Sequence, residues 1–309
     1  MKKAFDFYEK NYSLIFCHNP SKGKQVLGSI ENRQCRFCGK GNRESTFRKK
    51  AHAIPELIGN NLLFTNYECD DCNKYFSETL EDHFSKYLGI ERTLSQIKGK
   101  KGVPSHKSKD KTSRIDVKNI LKITQSWPRG YMEINQDKKQ IIPKTKKAPY
   151  VPANVFGCLV KMAISLVSEE EVMELAPWKS WLLSSSFPEN RIQDKLLCFT
   201  TFTPGPHPYQ GAWSFIFRRK SNAYKVPYLT FILAFGNRIF QIFLMNPQKD
   251  GYINNTELKL TLFPTPCVYS TNYKYGKSSI KTIDLSSTKK KYDEEETVFL
   301  CFDNMTEAK

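Results

Sequence analysis

The chain has 309 residues and a formal charge of +17, from 48 lysines and arginines against 31 aspartates and glutamates. No stretch is apolar enough to predict a membrane-spanning helix, and the first ten residues lack the apolar core of a signal peptide. The length suits two domains. A charge of this sign and size favours nucleic acid over an anionic membrane as the partner, so we expect a cytoplasmic protein that binds nucleic acid, DNA or RNA.

Two Cys-x-x-Cys pairs mark the first predicted unit, which runs from about residue 33 to 88. Four thiolates in two such pairs can close a tetrahedral zinc site. The alternative is a disulfide framework or buried apolar thiols. The nine cysteines are an odd number, and cytosolic thiols stay reduced, so zinc is favoured. The sequence therefore predicts a structural Zn²⁺ on Cys35, Cys38, Cys69 and Cys72.

A helix and a basic segment follow the second cysteine pair. Apolar residues at helical spacing predict a helix over residues 76–87, and Gly89 is a suitable C-terminal stop. Residues 97–114 are rich in Lys, Ser and Gly and are predicted to form a basic linker between domain 1–96 and domain 115–309. The linker lysines are either phosphate contacts or parts of a solvated hinge; the candidates are Lys98, Lys100 and Lys101.

The C-terminal domain is predicted to be α+β. Alternating residues indicate strands at 120–123 and 131–134, and 3.6-residue periodicity indicates a helix over 155–167. A capping box at Ser168–Glu171 starts a second helix. Strands follow at 196–202, 213–217, 228–235 and 239–245, with a hairpin turn at Gly236-Asn237 and a last strand at 297–302. We expect an antiparallel sheet with a helical pair, used for target recognition, sensing or oligomerisation.

A set of spaced polar residues lies within and around the cysteine pairs. After Cys35 and Cys38 come His52 with Ile54-Pro55, then Gly59, Asn66, Cys69 and Cys72, and finally Asn73. This order resembles the HNH endonuclease family in its zinc-containing form with two Cys-x-x-Cys pairs. The resemblance covers about residues 33–88 and does not extend to the C-terminal two-thirds of the chain.

The resemblance implies a ββα-metal fold and a role for each polar residue. His52 is the general base that activates water, Asn66 orients its ring, and Asn73 helps to hold a catalytic Mg²⁺ or Mn²⁺. A neutral imidazole suits proton removal near pH 7, and an amide oxygen is an acceptable ligand for a hard cation. The basic run just before the histidine is expected to contact phosphates; it consists of Arg48, Lys49 and Lys50.

One position departs from the family pattern. Many members carry Asp, Glu or His directly before the catalytic histidine as a metal ligand, and this chain has Ala51. The replacement ligand is either a nearby carboxylate or water and phosphate; the carboxylates are Glu56, Glu68, Asp70 and Asp71. The sequence thus predicts a metal-dependent DNA endonuclease, with a non-catalytic zinc module that binds nucleic acid as the alternative.

Three expectations about the setting of this activity follow from the resemblance or from analogy. A single HNH site cuts one strand at a time, so double-strand breaks need a homodimer or two encounters. An activating ligand or partner would act through the C-terminal domain. A role as the effector of a bacterial defence or restriction system rests on analogy with other HNH proteins that carry appended domains.

Overall fold

The structure is a computed structural model that describes residues 2–108, 112–118, 120–125, 132–184, 193–206, 208–253, 258–264 and 275–301. Tyr131 and Phe302, which end two of the predicted strands, lie outside these residues. Helices and antiparallel sheets both occur throughout the chain, which confirms the predicted α+β class. None of the described helices is both long and apolar enough to cross a membrane.

The N-terminal third consists of short helices and short strands. Its elements are α1 (Lys2–Asn11), β1 (Tyr12–His18), β2 (Gln25–Leu27), β3 (Ala51–His52), β4 (Leu63–Thr65), α2 (Asp70–Phe76), α3 (Asp82–Leu88) and α4 (Glu91–Leu94). Two 3-10 turns (Pro20–Lys22 and Glu56–Ile58) and a π-helical turn (Ser77–Glu81) complete this part.

Strands β2, β3 and β4 form a small sheet with β4 at its centre. Strand β3 runs antiparallel to β4 and pairs Ala51 with Thr65 and His52 with Phe64, whereas β2 runs parallel to β4. Helix α2 begins shortly after β4. The order β3, β4, α2 is the ββα arrangement that the sequence resemblance implies.

The helix predicted at residues 76–87 begins earlier than expected. Cys69 is the N-cap of α2, and its sulfur accepts a hydrogen bond from the backbone N–H of Cys72 at 3.5 Å. The second cysteine pair therefore forms the start of the helix. The sequence indicated zinc ligation at these residues but did not predict that they are also helical. Helix α2 continues through the π turn into α3, which ends at Gly89, where φ is +51° and glycine is favoured.

The remaining elements build three further sheets and the central helices. Strands β5 (His106–Lys107), β6 (Ser113–Val117) and β7 (Leu121–Gln125) form one sheet, and β8 (Met132–Asn135), β9 (Gln140–Lys146), β15 (Glu295–Thr297) and β16 (Leu300–Cys301) form another. Helices α5 (Pro152–Leu166), α6 (Glu169–Glu174) and α7 (Ala176–Leu183) follow one another, and α8 (Pro247–Asp250) is a single turn. In the segment predicted as a linker, Gly99 and Gly102 exchange backbone hydrogen bonds.

A six-stranded antiparallel sheet contains the four strands predicted between residues 196 and 245. These are β10 (Leu197–Phe202), β11 (Tyr209–Arg219), β12 (Leu229–Gly236) and β13 (Arg238–Leu244), joined by β14 (Ser279–Asp284) in the order β1-β11-β12-β13-β10-β14. Phe235 pairs with Arg238, which leaves Gly236-Asn237 as the two-residue turn and confirms the predicted hairpin. Strand β1 precedes the cysteine pairs yet lies at one edge of this sheet, so the sheet crosses the predicted domain boundary.

Helix α5 is the central helix of the core and is buried along almost its whole length. One hydrophobic cluster joins it to the cysteine-rich unit and to the six-stranded sheet. Arg36, between the first two cysteines, donates hydrogen bonds to the carbonyls of Ile164 and Val167 at the end of α5, at 2.7 and 3.0 Å. The cysteine-rich unit is thus fastened to the C-terminal part of the chain.

The capping box predicted at the start of α6 does not form. Ser168 occupies the N-cap position, but its side chain makes no capping hydrogen bond. The Glu171 carboxylate instead accepts hydrogen bonds from Arg218 and Tyr228 on the six-stranded sheet. The local pattern assigned Glu171 to the helix cap, but its hydrogen bond from the charged Arg218 guanidinium holds the carboxylate at the sheet instead.

Candidate active site

Four cysteine sulfurs meet at one point of the N-terminal unit. The Sγ atoms of Cys35, Cys38, Cys69 and Cys72 lie within 4.8 Å of one another, and those of Cys38 and Cys69 are 3.7 Å apart. A tetrahedral ion with Zn–S bonds of about 2.3 Å separates its sulfurs by roughly 3.8 Å. The cluster has the spacing of a four-cysteine site, and these residues could bind a zinc ion.

Local backbone geometry builds this cluster from two short segments. The first pair lies in a tight turn, in which the N–H of Gly39 donates to the carbonyl of Cys35 at 2.8 Å and Gly39 has a φ of +77°. The second pair opens helix α2. A hydrogen bond from Cys72 lowers the pKa of Cys35 to about 4, whereas the contact with Cys35 raises the pKa of Cys72 and burial raises that of Cys38. The thiolate form that binds metal is therefore favoured at Cys35.

His52 is the last residue of β3, at the edge of the small sheet. Its ring packs against Phe64 with the centroids 4.7 Å apart, and its side chain is 24% exposed. The Nε2 atom lies 4.0 Å from Oε2 of Glu56, in the 3-10 turn that follows Pro55. The backbone carbonyl of His52 accepts a hydrogen bond from Nζ of Lys161 at 3.1 Å. The His52 side chain is therefore partly exposed to solvent, while Lys161 holds the backbone of its strand.

The surroundings of His52 keep its imidazole neutral near pH 7. Burial lowers its pKa below the ordinary value, Glu56 raises it, and three lysines lower it further. Lys50 lies directly before β3, Lys100 lies in the turn after α4, and Lys161 lies in helix α5. A neutral imidazole is the form that a general base needs.

Two asparagines stabilise the sheet around His52 in different ways. The Nδ2 of Asn66 donates to the carbonyl of Gly28 at 3.0 Å, beyond the end of β2. Asn60 is 2% exposed and donates to the carbonyls of Ile54 and Leu63, while its Oδ1 accepts from the backbone N–H groups of Leu62 and Leu63. Asn60 therefore fastens the turn that joins the His52 strand to β4.

Asn73 lies in the first turn of α2, directly after the last cysteine. Its backbone N–H donates to the carbonyl of Cys69 at 2.9 Å. The residue is half-buried, and its side-chain amide has no hydrogen-bond partner among the residues that the structure describes.

The histidine strand, its antiparallel partner, the helix and the sulfur cluster form one compact arrangement. Residues 35–88 match the HNH endonuclease family. The matched segment contains both cysteine pairs and the whole ββα unit, and it is 54 of the 309 residues. No curated protein and no solved structure matches the chain. The HNH module implies nuclease activity in general and a nucleic acid as the substrate.

The four carboxylates named as replacement ligands differ in what they contact. Glu68 has a fully buried side chain whose Oε2 lies 2.9 Å from Nζ of Lys161. Asp70 accepts hydrogen bonds from two backbone N–H groups and a threonine hydroxyl in the segment before β3, and Asp71 accepts from a serine hydroxyl at 3.2 Å. Glu56 faces the His52 ring, so it is the carboxylate best placed to act there.

A groove of about 250 Å³ lies beside the HNH strands. Its basic lining residues are Arg33, Arg48, Lys49 and Lys50. The Nζ of Lys50 is 3.9 Å from the centre of the Phe64 ring, the same ring that His52 packs against. Lys100 is close enough to lower the pKa of His52, and Lys98 lines a second groove of about 410 Å³. Lys101 is exposed in the turn between Gly99 and Gly102.

Two residues of the HNH site were not predicted from the sequence. Asn60 follows Gly59 in the turn between two short strands. Asparagine side chains in turns often hydrogen-bond to nearby backbone groups, so this Gly-Asn pair could have indicated the role of Asn60. Lys161 is a single charge within an apolar helix. Periodicity assigned that helix to the core and gave no partner for the lysine.

Proposed function

We propose that the chain is a metal-dependent endonuclease that hydrolyses DNA phosphodiester bonds, with His52 as the general base. The observation that supports this most directly is a partly exposed, neutral histidine in an HNH module, whose ring packs against Phe64, a lining residue of the basic groove. The imidazole takes a proton from the attacking water, while arginines and lysines hold the anionic backbone beside it.

Glu56 is the proposed partner of the His52 ring. Its carboxylate is 4.0 Å from Nε2, a gap that a small side-chain rotation closes, since catalytic hydrogen bonds are often long before substrate binds. With Nε2–H directed at Glu56, Nδ1 carries the lone pair that accepts the proton. Asn66 was expected to orient the ring. Because its amide donates to Gly28, we propose that it acts on His52 indirectly, by supporting strand β4.

Asn73 would hold the catalytic divalent ion, Mg²⁺ or Mn²⁺, through its side-chain oxygen, with water and phosphate oxygens as the other ligands. The donor type fits a hard cation, and the amide has no competing partner among the described residues. When bound, such an ion supplies charge stabilisation for the scissile phosphate and the leaving oxygen. The four cysteines would hold a separate Zn²⁺ with a complete sulfur shell, which suits a structural role.

Substrate position would depend on the cations around the groove. Lys50 and Lys100 bring positive charge to His52 from two different segments, and Arg48 and Lys49 extend this charge along the groove. Contacts of this kind bind the phosphate backbone without reading sequence. Target choice would then fall to the C-terminal sheets and helices.

The test is incubation of the purified protein with supercoiled plasmid and either Mg²⁺ or Mn²⁺. His52→Ala is compared with His83→Gln, a matched histidine variant at a residue whose Nδ1 accepts the Val151 N–H at 3.0 Å. We expect nicked or linear DNA from the wild type and from His83→Gln, and none from His52→Ala. Zinc content and the urea unfolding midpoint should be the same for wild type and His52→Ala.

Two other outcomes would reject parts of the proposal. Cleavage by His52→Ala at the wild-type rate would reject the assignment of the base. Salt-sensitive DNA binding by the wild type without any product, with either ion, would favour the non-catalytic binding module, for which Ala51 is the observation in favour.

A further inference from the structure

Helix α5 carries one buried charge on an otherwise apolar surface. Lys161 is the charged residue among its fifteen residues, and its side chain is 1% exposed. Burying an ammonium group is costly unless it is paired and hydrogen-bonded. Lys161 lies outside the segment that matches the HNH family, so the family pattern does not account for it.

The ammonium group of Lys161 contacts the HNH module at three places. Nζ donates to the carbonyl of His52 at 3.1 Å, lies 2.9 Å from Oε2 of Glu68 and is 3.9 Å from Oε1 of Glu81. Burial lowers the pKa of Lys161, but Glu68 and Glu81 more than offset this effect and raise it. The group therefore stays charged and keeps its protons as donors.

The His52 carbonyl needs a donor because of its place in the sheet. Strand β3 lies at the edge of the sheet, with β4 on one side. The N–H of Ala53 points towards β4 and donates to Leu63, so the carbonyl of His52, one residue earlier, points away from β4. Lys161 supplies the hydrogen bond that a further strand would otherwise make.

Two backbone features bring α5 close enough for this contact. Gly157 lies one turn before Lys161, and a Cβ atom there would come within 3.1 Å of Leu80 in the π turn. The π turn also ends at Glu81, the second carboxylate near Lys161. Turns of this kind occur often at functional sites.

We propose that Lys161 is a positioning residue, which fixes the strand that carries His52 and so ties the catalytic base to the C-terminal part of the chain. This inference rests on the proposed nuclease function. The positioning role can be distinguished from a role in packing. An apolar side chain of similar volume can replace a buried ion pair with little loss of stability, so such a replacement removes the hydrogen bond to His52 while keeping the packing.

The test compares Glu68→Gln with the double variant Lys161→Met/Glu68→Gln. Both remove the Glu68 charge, but the single variant keeps the donor to His52, and methionine has nearly the length and volume of lysine. Glu68→Gln is therefore the reference for plasmid cleavage. Relative to it, the double variant should lose about 100-fold in kcat, the scale of a small misplacement of a catalytic group, with KM little changed.

A second readout does not depend on cleavage. The His52 imidazole is titrated by NMR in ¹⁵N-histidine-labelled protein, with its resonances assigned by their loss in His52→Ala. Glu56, Lys50, Lys100 and Lys161 are the charged groups that act on this ring. Removing the Lys161 charge should raise the pKa of His52 in the double variant relative to Glu68→Gln, and urea unfolding should show both variants folded.

The possible outcomes separate this inference from the proposed function. Equal kcat and an equal His52 pKa in the two folded variants would overturn the role of Lys161 and leave the nuclease intact. Absence of cleavage by every variant, wild type included, would reject the nuclease. An increased His52 pKa in the double variant would even then support the contact between Lys161 and the His52 strand.

Discussion

Replacing Asn60 by alanine tests how the turn between β3 and β4 is held. The side chain is 2% exposed and serves four backbone groups of this turn. After truncation, the carbonyl of Leu63 still accepts the hydrogen bond from the N–H of Ala53 at 3.3 Å. The N–H of Leu62 loses Asn60 as its acceptor, but Leu62 is only half-buried, so water can replace it. The carbonyl of Ile54 and the N–H of Leu63 are left without partners. Each such group costs about 1–3 kcal/mol, so the free energy of unfolding should fall by about 2–6 kcal/mol.

Urea unfolding of the zinc-loaded protein, followed by circular dichroism, measures this loss. Asn61→Ala is the matched control, because Asn61 is the next residue and its side chain is exposed; its unfolding free energy should change by less than about 0.5 kcal/mol. A loss below about 1 kcal/mol for Asn60→Ala, or equal losses for the two variants, would refute the assignment of this turn to Asn60.

Three further predictions concern the metal, the base and the substrate. Purified protein should contain one zinc per chain by elemental analysis, and Cys69→Ala should lose it together with the N-cap of α2. Glu56→Gln should move the acidic limb of the single-turnover pH–rate profile to lower pH, because Glu56 raises the pKa of His52 and its loss disfavours the protonated ring. Alanine at Lys98, Lys100 and Lys101 together should weaken DNA binding. The slope of log K against log salt should fall in magnitude by up to about 3, because each lost phosphate contact accounts for about 0.9.

Matched variants separate these effects from general damage. Cys17→Ser should keep zinc, since Cys17 is exposed and outside the cluster, and zinc retained by Cys69→Ala would contradict the four-sulfur site. Glu78→Gln removes an exposed carboxylate of the π turn and should leave the pH profile in place. The charge-matched control for the lysines lies on α1, with alanine at Lys2, Lys3 and Lys10; an equal change in salt slope there would mean that binding follows net charge alone.

The sequence predicted the local features of the site that depend on residue spacing. Four cysteines at Cys-x-x-Cys spacing, a histidine before Ile54-Pro55 and the hairpin at Gly236-Asn237 each carry their geometry within a few residues. The structure brings the cysteines together and forms the hairpin. The α+β class followed from the change of periodicity near residue 195 in the same way.

Features that depend on distant contacts were not predictable from spacing. Strand β1 pairs with β11, almost two hundred residues later in the chain, and no local signal names that partner. Glu171 fitted a capping box and instead accepts from Arg218 and Tyr228. Lys161 had no neighbour in sequence that would reveal Glu68 or His52. In each case a tertiary partner outweighed the local preference.

The position before the histidine shows how the strand limits where a catalytic ion can be held. Ala51 is 1% exposed, and successive side chains of a strand point to opposite faces, so Ala51 faces the interior while His52 lies on the opposite face, against Phe64. In this chain a carboxylate at position 51 would enter a buried environment at a high desolvation cost. Oxygen ligands would therefore have to come from outside β3, from Asn73 on α2 and from the substrate itself. Because Lys50, Lys100 and Lys161 all lower the pKa of His52 by their positive charge, an anionic phosphate would be attracted to the ring.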